Sequence, residues 1–470
     1  MKWPDGGARE IADGATGIVL FTAVALEVIA EWGGGRGFHL AAGAGIFLSL
    51  VLLTPRTGLS RKLFVTVGLA LAVIAVATRP DWPDMIERAM RAAAFVPAFF
   101  LASAWLRNAA STSVTIERCG RFLAAQPAGR RYLALSVGGH LFGIALSYGS
   151  IALLGSLAEQ GARSEPDEAV RASRIKRMLL AVQRGFLAMT AWSPLTFSIA
   201  ITTSIIAGSS WNGAVGGCLV TALVLILLGW ALDTMPGAAS ARDRGPAGPP
   251  PGSWSTIMPL VWLLAVLFAA VGLTQLASGV RAVAVVLVVV PAVSLGWIAL
   301  QGRERRGGPI VHMVERALRY IMVDGPNYRS ELVLLIMAAF IGTMASGLVA
   351  PYVAGGLDLS AVPAWLVLVI LVWLMPLTGQ LAMNPILAIY LIAPLLPAAS
   401  TLGVSPNAII VALTAGWALS GVSSPYTAST LLVAALGKVT ALDAGPKWNG
   451  VYTLIGGVLL SGWVVIFASL

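Results

Sequence analysis

Charge is scarce in this sequence. Asp, Glu, Lys and Arg together make up 11% of the 470 residues, less than half of what an ordinary soluble chain carries. Cysteine is scarcer still: Cys119 and Cys218 stand alone and far apart, which argues against a disulfide framework. The three histidines, His39, His140 and His312, form no HExxH pair, and no GxxxxGKS/T stretch occurs. Neither zinc-dependent hydrolysis nor a built-in ATPase therefore has support. No nucleophile–base or metal constellation points to catalysis, so the chain reads as a non-enzyme without a resident cofactor. Met1–Gly14 is polar and mixed in charge, with no small-residue cleavage site. The apolar segment behind it reads as a retained helix.

Apolar residues fill the space those absences leave. Hydrophobic side chains make up 57% of the chain and the mean hydropathy is +0.84. Runs of about 20 apolar residues recur from end to end, the length a helix needs to span a bilayer. The sequence thus predicts an all-α polytopic membrane protein. A net charge of +10 could serve a nucleic-acid partner. The basic residues, however, sit in loops between apolar segments, where membrane topology accounts for them and no nucleic acid is implied.

Two of the apolar segments carry the same interruption. Thr190-Ala191-Trp192-Ser193-Pro194-Leu195-Thr196 has a near copy in Ser420-Gly421-Val422-Ser423-Ser424-Pro425-Tyr426-Thr427. Proline removes a backbone donor and clashes with the preceding turn, so each helix must break or kink. In lipid the freed backbone groups need new partners, which a cavity or surrounding protein supplies. Two such breaks flanked by hydroxyls read as two halves of a mid-membrane binding site.

Other landmarks repeat in the same order. Met85-Ile86-Glu87-Arg88-Ala89-Met90-Arg91 recurs as Met313-Val314-Glu315-Arg316-Ala317-Leu318-Arg319, 228 positions on (313 − 85). The Ser-Pro-x-Thr motifs lie 231 apart (424 − 193), and Gly139-His140-Leu141 and Gly379-Gln380-Leu381 lie 240 apart (379 − 139). The expected plan is a leading segment and helix over 1–37, repeat 1 over 38–232, a linker over 233–253, and repeat 2 over 254–470. Repeat 1 holds a re-entrant hairpin at 132–157 and a broken helix at 178–207. Repeat 2 holds a hairpin at 362–397 and a broken helix at 404–437.

That plan leaves about eleven crossings. With the N-terminus in the cytoplasm and the C-terminus in the periplasm, only Arg36, Arg79, Arg88, Arg91 and Arg281 of the 31 basic residues fall outside. So strong a bias favours this orientation in a bacterial-type inner membrane, with the linker cytoplasmic. Five crossings per repeat, an odd number, make the two copies inverted relative to one another.

In this plan the chain resembles the ion transporter superfamily, whose members include sodium–dicarboxylate symporters and the large membrane subunits of tripartite ATP-independent transporters. The likeness covers a leading helix, two inverted five-helix repeats, one hairpin per repeat and one broken helix after each hairpin. Where sodium–dicarboxylate symporters carry Ser-Asn-Thr at both hairpin tips, this chain has Gly138-Gly139-His140 and Thr378-Gly379-Gln380. The resemblance implies that tips and breaks together hold substrate and sodium. It also implies a homodimer in which one bundle moves against a fixed scaffold, as an elevator.

The residues themselves point to the same chemistry. A broken helix offers the positive end of its second half, with free N–H groups, to an anion. The expected substrate contacts are Gly138, Gly139, His140, Ser193, Pro194, Thr378, Gly379, Gln380, Asn384, Ser423, Ser424 and Pro425. Hydroxyls of Ser193, Thr196, Ser424 and Thr427, with nearby carbonyls, suit Na⁺ as hard oxygen ligands. The hairpins and broken helices carry no cluster of Asp or Glu, which weakens a proton relay and disfavours a cationic substrate. His140 can meet a substrate carboxylate, carry a proton, or simply be satisfied near the interface. Gln380 and Asn384 can bind carboxylate or sulfonate oxygens, or pack helices. Glu27, about 18 Å along the first helix, is an intramembrane acid with either a functional or a structural role. The two MxERAxR stretches read as short amphipathic arms lying in the interface.

The function expected is cation-coupled secondary transport of a small organic anion, most of all a carboxylate, with Na⁺ as coupling ion. Two alternatives share the fold. One is the permease subunit of a tripartite system, with a periplasmic binding protein and a small membrane subunit as partners. The other is a channel or passive anion exporter.

Overall fold

A backbone surrounded by hydrocarbon has no water to bond to, so each spanning segment must satisfy its own N–H and C=O groups. The computed structural model follows that rule. It describes residues 8–163, 165–235, 252–303, 307–356 and 362–470, and all regular structure among them is helical. In chain order the helices are α1 (Ala8–Ile29), α2 (Arg36–Leu53), α3 (Leu59–Thr78), α4 (Trp82–Ala110), α5 (Val114–Ala124), α6 (Ala128–Leu146) and α7 (Gly149–Ala162). Next come α8 (Glu168–Thr190), α9 (Phe197–Ile205), α10 (Trp211–Thr234), α11 (Met258–Ser278), α12 (Ala282–Gln301), α13 (Gly308–Arg319) and the single turn α14 (Gly325–Asn327). Then follow α15 (Arg329–Gly356), α16 (Ala364–Gln380), α17 (Pro385–Ile392), the short α18 (Ala399–Leu402), α19 (Pro406–Ser423), α20 (Ala428–Gly437) and α21 (Trp448–Ser469).

Among the described residues ten helical stretches are long and apolar enough to cross a membrane. The chain is a multi-pass, all-helical membrane protein. The count falls one below the eleven expected, and the difference is α8–α9. Arg171, Arg174, Lys176, Arg177 and Arg184 crowd its first half, too many charges for a purely apolar span. Most of the linker at 233–253 lies outside the described residues, which stop at Met235 and resume at Gly252.

The chain divides into two compact units, and each draws on both halves of the sequence. The first comprises Met1–Ala109, Ala270–Asp358 and Ile386–Leu396. Its core centres on Tyr320, fully buried, whose ring lies 4.2 Å from that of Trp105 and whose hydroxyl donates to Leu101 O at 2.8 Å. The first MxERAxR copy is not a separate arm but part of the 29-residue α4, where Glu87 pairs with Arg36 and Arg91. The second copy does end a short amphipathic helix, α13, with Ile310, Val314 and Leu318 exposed.

The second unit comprises Ala110–Ala269, Leu359–Pro385 and Pro397–Leu470. It contains both broken helices, the whole of the first hairpin and the first arm of the second. Residues 386–396, most of the second hairpin's other arm, belong to the first unit. Within the second unit, α6 packs along α8 and α16 along α19. Both pairs come close because glycine removes the side chain at the crossing. A Cβ on Gly185 would stand 1.9 Å from Ser136 O, and one on Gly416 would stand 2.6 Å from Val372 O.

Candidate functional site

The first break begins where α8 ends at Thr190 and closes where α9 starts at Phe197, with Thr196 as its N-terminal cap residue. Pro194 has no N–H to continue the ladder, so the last carbonyls of α8 must find other donors. Thr196 Oγ1 donates toward Ser193 O (2.6 Å) and Thr190 O (3.3 Å), and lies 3.0 Å from Ser198 Oγ. Ser198 Oγ also donates to Thr190 O, while Leu195 N donates to Ser193 Oγ at 3.4 Å.

The same arrangement recurs at the second break, 231 positions on (427 − 196). Thr427 Oγ1 donates toward Ser424 O and Gly421 O, both at 3.1 Å, and lies 3.2 Å from Ser429 Oγ. Ser429 Oγ donates to Gly421 O at 2.7 Å, and Tyr426 N donates to Ser424 Oγ at 3.3 Å. Each break is therefore closed by its own hydroxyls. A hydroxyl that gives its proton to a carbonyl keeps its lone pairs, which remain available to a cation. Ser193, Pro194, Ser423, Ser424 and Pro425 are all buried, and Thr196 and Thr427 half-buried.

Hairpin residues join these breaks at matching positions. Trp192 donates its indole N–H to His140 Nε2 at 2.9 Å, and the two rings stack with centroids 5.7 Å apart. With Nε2 accepting, the neutral imidazole carries its proton on Nδ1. At the second break the position 231 residues after Trp192 is Ser423, which Gln380 Nε2 reaches at 3.5 Å. Ser424 Oγ donates to Gly379 O at 2.6 Å. Thr378 turns its hydroxyl back onto Met375 O, and Asn384 stands half-buried in the turn before α17.

The expected tip at Gly138-Gly139-His140 needs correction. These residues lie inside α6, and the turn comes at Ser147–Tyr148, where Ser147 takes φ 52°. Gly139 serves packing instead: a Cβ there would stand 2.3 Å from Val182 O, and one on Gly138 would stand 2.9 Å from Leu123 Cδ1. The second tip falls closer to expectation. Helix α16 ends at Gln380, and Ala382 takes φ 60° in the turn that follows.

Some polar residues at the site were not singled out from the sequence. Ser198 and Ser429 extend both motifs to Ser-Pro-x-Thr-x-Ser, so carrying the repeat two residues further would have found them. Ser420 is fully buried beside Gly379, and its hydroxyl makes no hydrogen bond among the described residues. Behind the second break, Gln183 Nε2 donates to Thr430 Oγ1 at 3.2 Å and Asn449 Nδ2 to Gln183 Oε1 at 3.2 Å. Arg184 Nε donates to Asn449 Oδ1 at 3.0 Å. Partners 247 to 266 residues apart leave no local signal.

Glu27 belongs to the first unit, where it is buried and receives His39 Nδ1 at 3.3 Å. Glu27, Glu31 and His39 bring one ligand atom each within 4.8 Å of one another, a geometry open to a metal ion. Glu31 is already held by Arg281 at 2.6 Å.

No known family model matches the chain, and neither does any curated protein. Solved structures do share its fold. The Alcanivorax borkumensis YdaH transporter superimposes with a TM-score of 0.56 and 17% identity, over 87% of this chain and 99% of that one. Neisseria gonorrhoeae MtrF, of a class of antimetabolite efflux pumps, superimposes with a TM-score of 0.56 and 11% identity, over 87% and 95%. At such identities the likeness is one of fold alone.

Proposed function

We propose that this protein is a secondary active transporter of a small organic anion, coupled to Na⁺. One observation carries the reading: two proline breaks in one compact unit, closed by the same five-bond pattern of hydroxyls. Each break ends a buried helix in carbonyls and starts another with an N-terminus, which suits a cation and an anion side by side. Na⁺ is preferred over H⁺ because the breaks and hairpin arms present hydroxyls and amides rather than carboxylates. Glu27, the buried acid, belongs to the other unit. His140 and Gln380 flank the breaks as donors for a carboxylate.

The ion transporter plan belongs to the same reading, with inverted repeats, a cytoplasmic N-terminus, a homodimer and elevator-type motion of the unit that holds both breaks. The likeness to YdaH and MtrF as solved transporters supports transport as the activity. Likeness to an efflux pump also favours a second reading, in which the anion leaves the cell. The test is a thermal-shift screen of the purified chain against carboxylates, sulfonates and inorganic oxyanions, with and without Na⁺. Carboxylates should raise the Tm, and more so with Na⁺ present. A screen in which no anion stabilises the protein under either condition would sink the reading. Uphill movement into or out of liposomes then decides direction, and strictly downhill movement would mark a channel.

A further inference from the structure

Away from the breaks, the second unit has a cavity of about 250 Å³ between α8, α10 and α21. Lys176, Arg177, Arg184, Asp233, Trp448 and Tyr452 provide its polar and aromatic wall. The charges there do not balance. Arg177 and Asp233 neutralise each other through two contacts of 2.8 Å. Arg184 is 5% exposed and every bond it makes is to a neutral group. These are Asn449 Oδ1 (3.0 Å), Tyr132 OH (3.5 Å) and Trp448 O (3.5 Å), with the guanidinium 4.4 Å from the Tyr452 ring centroid. Lys176 lies 5.3 Å from the Trp448 ring and makes no ion pair among the described residues. A buried cation without a counter-ion is costly, and two cations on one cavity call for an anion.

The rim narrows what that anion is. Ser173, Leu180, Leu232 and Val451 complete the lining. From there the exposed faces of α21 (Val451, Leu454, Ile455) and α10 (Leu227, Trp230) continue as apolar stripes. A ligand with a charged head and a long apolar body fits both surfaces, whereas a free inorganic ion uses only one. Trp448 starts its helix, and tryptophan is the residue that favours the headgroup level. A neighbouring cavity shares Lys176 and Trp448 but is also lined by Glu159, Glu168, Arg171 and Lys438, with Lys438 3.6 Å from Glu159, so its added charges offset one another. We propose that the cavity formed by α8, α10 and α21 binds the phosphate of an anionic phospholipid, with Arg184 and Lys176 as its counter-ions.

The site is independent of the transport reading. Native mass spectrometry of the detergent-solubilised full chain, titrated with phosphatidylglycerol or phosphatidylcholine, tests it. Phosphatidylglycerol should be retained in preference to phosphatidylcholine. Lys176→Gln should weaken that retention about fivefold, the worth of one basic group near a lipid surface. Arg184→Gln should weaken it further, but Arg184 also ties α8 to Asn449, so the half-buried Lys176 carries the test through Lys176→Gln if Arg184→Gln does not fold. Equal retention of both lipids, or unchanged retention in Lys176→Gln, would overturn the proposal. So would thermal stabilisation by inorganic phosphate that equals that by phosphatidylglycerol, since the anion would then be a free solute.

Discussion

At the first break the capping hydroxyls of Thr196 and Ser198 lie beside rings. Trp192 stacks on His140 and, at 5.4 Å, on Phe268, and Trp211 donates its indole N–H to Trp192 O. At the second break the equivalent Thr427 and Ser429 lie beside further hydroxyls and amides, those of Ser420, Ser423, Thr430, Gln183 and Gln380. The cap is the same and the neighbourhood differs. Rings offer shape and stacking to an organic body, whereas clustered hydroxyl oxygens offer a hard cation its ligands. Under the proposed function, the first break is then the better match for a substrate's carbon skeleton and the second for Na⁺.

The largest expected effect breaks the scaffold under one side of this comparison. Gly139→Val should lower the thermal stability in detergent by roughly 1–3 kcal/mol or more, because the added carbon meets the backbone of α8 at Val182. Gly379→Val should cost less, since the nearest atom to its added Cβ is the Ser420 hydroxyl, a side chain that can turn away. Gly457 is no lipid-facing control for this series, because a Cβ there would stand 2.5 Å from Trp373. Gly462, with open space around it, is the better control. Equal melting temperatures for Gly139→Val and Gly462→Val would show that the α6–α8 contact is slack.

A smaller effect separates the breaks by ion. Thr427→Val should raise the Na⁺ concentration needed for half-maximal stabilisation about fivefold, as expected for one lost polar contact of about 1 kcal/mol. Thr196→Val should raise it less. The reverse order in a Na⁺ titration would exchange the roles of the two breaks. Trp192→Phe keeps a ring but removes the donor to His140 Nε2. It should weaken carboxylate affinity by a similar factor and leave the Na⁺ titration unchanged. Smallest of all is Gln380→Ala, whose exposed side chain reaches Ser423 only at 3.5 Å. A change in affinity larger than that of Trp192→Phe would place the substrate at the second break.

The breaks were legible because proline has one effect in any helix, and the motif around it occurs twice. Their caps were legible in part, as the repeat extends through Ser198 and Ser429. The first hairpin misled because Gly138-Gly139 reads as a turn while the structure uses glycine for close helix contact. The true turn at Ser147 depends on a serine with positive φ that composition does not advertise. Asn449 and Arg184 could not be paired from sequence, since nothing local links α21 to α8. The interleaving of the two units was equally hidden. It arises from which apolar faces meet, and runs of similar hydropathy do not encode that choice.

The central claim is that the duplicated breaks couple Na⁺ to the movement of a carboxylate. Uptake of a radiolabelled dicarboxylate into proteoliposomes tests it most directly, comparing an inward Na⁺ gradient with a pH gradient in Na⁺-free buffer. The account predicts accumulation above equilibrium with the Na⁺ gradient alone, and a higher Na⁺ requirement in Thr427→Val. Equal accumulation driven by the pH gradient without Na⁺ would contradict it.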